Sequence, residues 1–278
     1  PAGAPRPFPP SRPSPRAGPS PDSRTRRSAG PAARGGFRGT PVCEALLRQG
    51  AAVVIGDMKA ERLAPTVETL RGLVKGAKVS AIQFNAADEA SIHTLVESAV
   101  REHGRLDGFV NATFYSVGKK VEDLTAEEFD KANRINVTGS FLMARKAADA
   151  MKSGGSIVMF ASMYGIVSPD PKVYIPPMNP NPIEYGAGKA AMIQMTRYLA
   201  AHYGPRNIRV NAVAPGPFPF QSTRDSEPEF AARLAARTML GRLGRQDELA
   251  GTVAYLLSEA SSYVTGLCVP VDGGWTQW

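Results

Sequence analysis

Three consecutive segments decide the fold: Ser156-Ile-Val-Met-Phe-Ala161, the apolar stretch that opens at Tyr185-Gly-Ala-Gly-Lys189 and reaches Tyr203, and the run from Ile208 to Val213. The first and last have the length and apolar content of buried strands, and the middle one has helical spacing. One helical turn places the Tyr185 phenol and the Lys189 ammonium on the same face. A cation held there favours phenolate and lowers a pKa that starts near ~10. Such a tyrosine can exchange a proton with a hydroxyl or carbonyl near neutral pH. Ser162, directly after the first strand, can hydrogen-bond the same oxygen as charge develops on it. The trio suits carbonyl/alcohol redox; taken alone, a Tyr and Lys four apart also fits a surface pair. The similar Tyr115-Ser-Val-Gly-Lys119 follows a strand and lacks helical periodicity, so it reads as loop.

Working outward, the same alternation continues in both directions. A helix ending in Val42-Cys-Glu-Ala-Leu-Leu-Arg-Gln-Gly50 precedes a buried strand over 51–57, a helix over 60–74 and a strand over 78–84. Asp88 caps a helix to about His103, 106–111 is strand, and Thr125-Ala-Glu-Glu128 has capping-box spacing at the start of a long helix to about Met151. After Val213 come helices near 227–238 and 247–257 and a last strand over 267–271. This pattern predicts an α/β domain over 42–278 with one doubly wound parallel sheet, Rossmann-like, covered on both faces.

The 278 residues carry a net charge of +8, but residues 1–42 hold eight Arg and one Asp, leaving only +1 for the rest. No basic face for nucleic acid is expected. Residues 1–41 contain eleven Pro and no Val, Ile, Leu or Met, a composition that reads as a disordered leader, a transit peptide or the product of a shifted reading frame. The two cysteines, Cys43 and Cys268, and the three histidines do not cluster, so neither a disulfide framework nor a metal site is expected. No apolar run reaches the ~20 residues of a membrane span. The expected location is cytoplasmic.

Asp57 ends the second strand of a dinucleotide-binding unit, where a carboxylate can accept from both ribose hydroxyls of an adenosine and repel a 2′-phosphate. It argues for NAD; its other reading is an N-cap for the following helix. The insert between Ser162 and Tyr185 holds Pro169, Pro171, Pro176, Pro177, Pro180 and Pro182 and would shape the substrate pocket or be ordinary surface loop.

Residues 42–278 resemble the short-chain dehydrogenase/reductase family, in the branch called classical. The resemblance rests on Asn111, Asn136-Val-Thr-Gly139, Ser162, Tyr185-x-x-x-Lys189, Arg209-Val-Asn-Ala-Val-Ala-Pro-Gly216, Tyr263-Val-Thr-Gly266 and Val271-Asp-Gly-Gly274. It implies Tyr185 as general acid/base, Ser162 orienting the substrate oxygen, Lys189 on the nicotinamide ribose, and Asn136 holding a water that leads from Lys189 to solvent. It further implies Asn85 and Ala86 beside adenine, Asn111 supporting the central cofactor strand, and backbone near Pro215, Gly216 and Phe218 facing the nicotinamide, with Phe218 and Phe220 in a mobile lid. A homo-oligomer, tetramer or dimer, is implied, with the Thr125 and Tyr185 helices at one interface and the C-terminal 274–278 at another.

Two departures matter. Asn111-Ala-Thr-Phe114 puts a ring where the family has glycine, and Gly35-Gly-Phe-Arg-Gly39-Thr-Pro41 imitates the phosphate-binding glycine loop without a preceding strand. The first strand and its loop are thus expected to be missing or replaced. The insert and the run Asn-Pro-Ile-Glu-Tyr185 are similar to dehydrogenases found with flagellin-modification and surface-sugar pathways, which implies a polyol, sugar or sugar-derived substrate, with a hydroxy acid or small ketone next. The alternative is a catalytically silent relative acting as a binding or scaffolding subunit.

Overall fold

The computed structural model describes residues 39–278. Helix α1 (Gly39–Arg48) buries Val42, Cys43, Leu46 and Leu47, a single stripe. It starts three residues ahead of the boundary read at Val42, because Pro41 falls in the first turn, where its missing N–H has no partner to lose. Gly50, at φ 81°, reverses the chain into strand β1 (Val53–Asp57).

Alternation then runs through helix α2 (Leu63–Leu73), strand β2 (Val79–Gln83), helix α3 (Glu89–His103) and strand β3 (Gly108–Asn111). Asp88 caps α3 by accepting from the Ala90 N–H, and Gly104 closes it at φ 76°. Thr125 and Glu128 form the expected capping box on helix α4 (Ala126–Asn133). The long helix expected from there is interrupted: a π-turn over Arg134–Gly139 separates α4 from helix α5 (Ser140–Ala150). Gly139 lies beneath the Ala86 carbonyl oxygen, where a Cβ would collide, and the widened turn accommodates that approach.

Strand β4 (Gly155–Phe160), helix α6 (Ile183–Tyr203) and strand β5 (Ile208–Pro215) form the unit that opened the sequence reading. Helix α7 (Gln221–Ser226), not foreseen, precedes helices α8 (Pro228–Ala236) and α9 (Asp247–Leu257) and strand β6 (Cys268–Val271). Among the described residues no helix is long and apolar enough to cross a membrane.

Every strand pairing is parallel, but the strands form two hydrogen-bonded sets, β1–β2 and β3–β4–β5–β6. The single continuous sheet expected from the alternation is therefore split, since among the described residues no strand lies between β1 and β3. The two sets still share both apolar layers. Val54 of β1, Phe109 of β3 and Ile157 of β4 enter one, with Ile92, Met143 and Met192 from α3, α5 and α6. Val53, Val110 and Val158, their neighbours on the opposite pleat, enter the other with Leu46 of α1 and Leu249 and Val253 of α9. Helices thus cover both faces, as in a doubly wound domain. The segment Gly35–Arg38, half of the imitated phosphate loop, lies outside the described residues, while Gly39 and Thr40 open α1.

Candidate functional site

The C-terminal ends of the parallel strands carry the candidate residues: Asp57 ends β1, Asn111 ends β3, Ser162 follows β4, and Pro215 and Gly216 close β5. In open α/β sheets this edge is where ligands bind.

Ser162 has extended backbone, and its Oγ accepts from the Tyr164 N–H at 3.2 Å, which starts a tight turn over Met163–Gly165. That turn lies directly on α6. A Cβ at Gly165 would stand 2.7 Å from the Lys189 carbonyl carbon and 2.9 Å from the Ala190 nitrogen, and a Cβ at Gly186 would stand 3.1 Å from the Tyr164 oxygen. Two residues along α6, a Cβ at Gly188 would meet the Asn136 Cβ at 3.0 Å. The two glycines of Tyr185-Gly-Ala-Gly-Lys189 are therefore contact points, one against the Ser162 turn and one against the π-turn. They bring Ser162, Tyr185, Lys189 and Asn136 into one neighbourhood.

Lys189 is 2% exposed, donates from Nζ to the Phe160 carbonyl at 2.5 Å, and stands 5.6 Å from the centroid of the Tyr185 ring. A buried ammonium costs free energy unless its hydrogen bonds and charge are met, so its placement beside a phenol is a constrained arrangement. The ring of Phe114 meets that of Tyr185 edge-on, with centroids 5.9 Å apart and planes at 82°. The residue that departs from the family pattern is thus in contact with the candidate acid/base.

Asn136 is fully buried. Its Oδ1 accepts from the Tyr115 N–H at 2.8 Å and its Nδ2 donates to the Tyr115 carbonyl at 2.8 Å, so the side chain fastens the loop after β3. Glu184, also fully buried, fastens the same loop from α6: its Oε1 accepts from the Val117 N–H at 2.8 Å and from Ser116 Oγ at 3.1 Å. Neither tie was foreseen. An acidic residue in the first turn of an apolar helix was the available signal for Glu184, and it reads equally as a partner of the helix dipole. Tyr115-Ser-Val-Gly-Lys119 is loop, as its lack of periodicity implies.

A second part of the edge is a cleft lined by Asp57, Arg62, Phe84, Asn85, Ala86 and Ile135, among others. Asp57 is 3% exposed and its Oδ1 accepts from the Lys59 N–H at 2.8 Å. Asn85 uses its Oδ1 on the Ala87 N–H, and Asn111, fully buried, donates to Ser140 Oγ and accepts from both the N–H and the hydroxyl of Thr113. A carboxylate at the rim of a cleft with Phe84 and Ile135 in its walls suits an adenosine, whose base is flat and apolar-faced and whose ribose offers two hydroxyl donors. At β5, the Gly216 N–H bonds the Val271 carbonyl, and Phe218 is buried against Gly244. Among the described residues no group of three His, Cys, Asp or Glu could hold a metal ion.

Two further phenols belong to this region. Tyr164 and Tyr174 share a hydroxyl–hydroxyl hydrogen bond of 2.9 Å, and burial raises the pKa of both. Both remain protonated donors well past neutral pH. Burial likewise pushes the Cys43 thiol up to about 12 and that of Cys268 up to about 11.

The chain is similar to several known proteins. A family model described as enoyl-(acyl carrier protein) reductase matches residues 38–276. The 3-oxoacyl-[acyl-carrier-protein] reductase FabG of Thermotoga maritima is 35% identical, over 82% of this chain and 88% of its own. A cis-4-hydroxycyclohexanecarboxylate dehydrogenase of Sinomonas cyclohexanicum is 34% identical, over 86% and 92%. Among solved structures, one described as a putative gluconate dehydrogenase from Agrobacterium tumefaciens superposes with a TM-score of 0.81 at 27% identity, over 91% of this chain and 96% of that one.

Proposed function

The chain belongs to the short-chain dehydrogenase/reductase family, an oxidoreductase family acting on alcohols and ketones, and from that premise we propose that it interconverts a secondary alcohol and a ketone with NAD. The observation that carries the reading is the buried Lys189 held one turn from Tyr185, with the Ser162 turn seated on the same stretch of α6. In the oxidative direction, Ser162 hydrogen-bonds the substrate oxygen and Tyr185 takes its proton, with Lys189 held beside the phenol. In the reductive direction the same phenol returns the proton. Bound NAD supplies the hydride acceptor.

Asp57, Asn85 and Ala86 would hold the adenosine end, Asn111 the strand behind it, and Pro215, Gly216 and Phe218 the nicotinamide end. Asp57 supports NAD over NADP, since its carboxylate would repel a 2′-phosphate. Asn136 pins the 115 loop with its side chain and would also hold a water leading from Lys189 to solvent. The substrate class is a polyol, sugar or sugar-derived alcohol, a reading supported by the long insert beside Tyr185 and by the fold likeness to a putative gluconate dehydrogenase. The assembly is a dimer or tetramer, with the exposed Phe141 of α5 and Tyr198 of α6 on the helices that would meet; light scattering on the eluting protein reads its mass.

Turnover of a panel of polyols, cyclic alcohols and small ketones with NAD and NADP tests the proposal. Activity confined to acyl thioesters or steroids contradicts the substrate class, and preference for NADP contradicts the role of Asp57. A silent binding subunit is the second reading, favoured by the departure of Gly35-Gly-Phe-Arg-Gly39-Thr-Pro41 from a phosphate-binding glycine loop. NADH fluorescence titration separates the two, because a silent subunit need not bind.

A further inference from the structure

The insert between Ser162 and Tyr185 is clasped by one face of α8. The Phe230 ring lies 5.5 Å from that of Tyr174, Arg233 donates to the Lys172 carbonyl at 3.0 Å, and Arg237 stands 3.5 Å from Asp170. Residues 230, 233 and 237 follow helical spacing, and Tyr164, Tyr174 and Phe230 pack on one apolar cluster with Met163, Val173 and Leu234, so insert and helix form one lobe. Arg237 also lies over the Trp275 ring, which ties that lobe to the C-terminal segment.

At the base of this lobe sit the Tyr164 and Tyr174 hydroxyls. Tyr164 is two residues from Ser162 and donates to its Oγ through the backbone N–H, and its carbonyl oxygen stands 3.1 Å from where a Cβ at Gly186, the residue after Tyr185, would lie. Two phenols carry two O–H protons, and the bond between them uses one. The other is left to donate. Asn181, whose backbone lies beside the Tyr174 hydroxyl, has a buried Oδ1 with no hydrogen-bond partner. A spare donor and an unmet buried acceptor in one neighbourhood are what a hydroxyl group, donor and acceptor together, would satisfy.

We infer that Tyr164, Tyr174 and Asn181 form a subsite that reads a second hydroxyl of the substrate, away from the carbon being oxidised. The substrate class is accordingly a diol or polyhydroxylated ring, not a simple secondary alcohol. This rests on the redox reading above and deepens it. A site built to meet a hydroxyl discriminates strongly against the analogue that lacks it, because its own polar groups are then left unpaired.

The test compares a cyclic diol with its mono-hydroxy analogue, oxidised with NAD by the wild-type protein and by Tyr174→Phe and Asn181→Ala. The expected result is a wild-type kcat/KM at least about tenfold higher for the diol, with each substitution lowering the diol value about tenfold more than the mono-alcohol value. Equal losses on the two substrates, or a wild-type preference for the mono-alcohol, would overturn the subsite while leaving the redox reading intact. Oxidation of neither substrate, with no NADH binding, would sink both. Circular dichroism of each variant separates loss of the subsite from loss of the fold.

Discussion

Gly165 rests on the backbone of Lys189: a Cβ at that glycine would stand 2.7 Å from the lysine's carbonyl carbon and 2.9 Å from its oxygen. The turn that positions Ser162 and the helix that carries Tyr185 and Lys189 are thus spaced by the absence of one side chain. Gly165→Ala is expected to destabilise the protein by about 1–3 kcal/mol, because backbone on both sides cannot yield, and to lower kcat by moving Ser162 relative to Tyr185. Thermal unfolding and steady-state kinetics check it. An unchanged melting temperature and kcat would mean that the contact does not set the spacing.

Glu184 ties the loop after β3 to the first turn of α6 through Val117 and Ser116. Glu184→Ala leaves the Val117 N–H unmet and is expected to cost about 1–3 kcal/mol, whereas Glu184→Gln retains an acceptor and loses less. Denaturant unfolding of the pair of variants reads the difference.

Asp57 sets the nucleotide preference in this account. Asp57→Ala is expected to lower the ratio of kcat/KM for NAD to that for NADP by about tenfold or more, by removing a carboxylate that accepts from ribose hydroxyls and repels a 2′-phosphate. Rates with the two cofactors on one substrate measure it.

The strand and helix alternation was legible because buried parallel strands are continuous apolar runs and Asp88 and Thr125 announce their helices. The break in the helix after Thr125 was not, since nothing in Asn136-Val-Thr-Gly139 betrays that Gly139 passes beneath the Ala86 carbonyl, a long-range contact. The grouping of Ser162, Tyr185, Lys189 and Asn136 could be read from motif order, but the work of Gly165, Gly186 and Gly188 could not, because it depends on which backbone each glycine meets. The Tyr164–Tyr174 pair likewise joins residues ten apart in a proline-rich insert whose path local spacing does not define.

Glu248, at the start of α9, accepts from both Arg242 nitrogens and from the Arg245 N–H, and the Arg242 hydrogen bonds chiefly hold its carboxyl down to about 2. A folded pKa below the unfolded value means stabilisation that is present above the ordinary carboxylate range and lost as pH falls from about 4.5 toward about 2. Glu248→Gln should therefore lower the melting temperature at neutral pH, with the gap closing on acidification through that window. A gap independent of pH would contradict the assignment.

The most direct test of the central claim is NADH formation from a secondary alcohol by the wild-type protein and by Tyr185→Phe, with NADH binding measured on both. The account predicts turnover by the wild type and a loss of about 10²- to 10⁴-fold in the variant, with fold and NADH affinity retained. Turnover by Tyr185→Phe at the wild-type rate would remove this phenol from the chemistry and contradict the account.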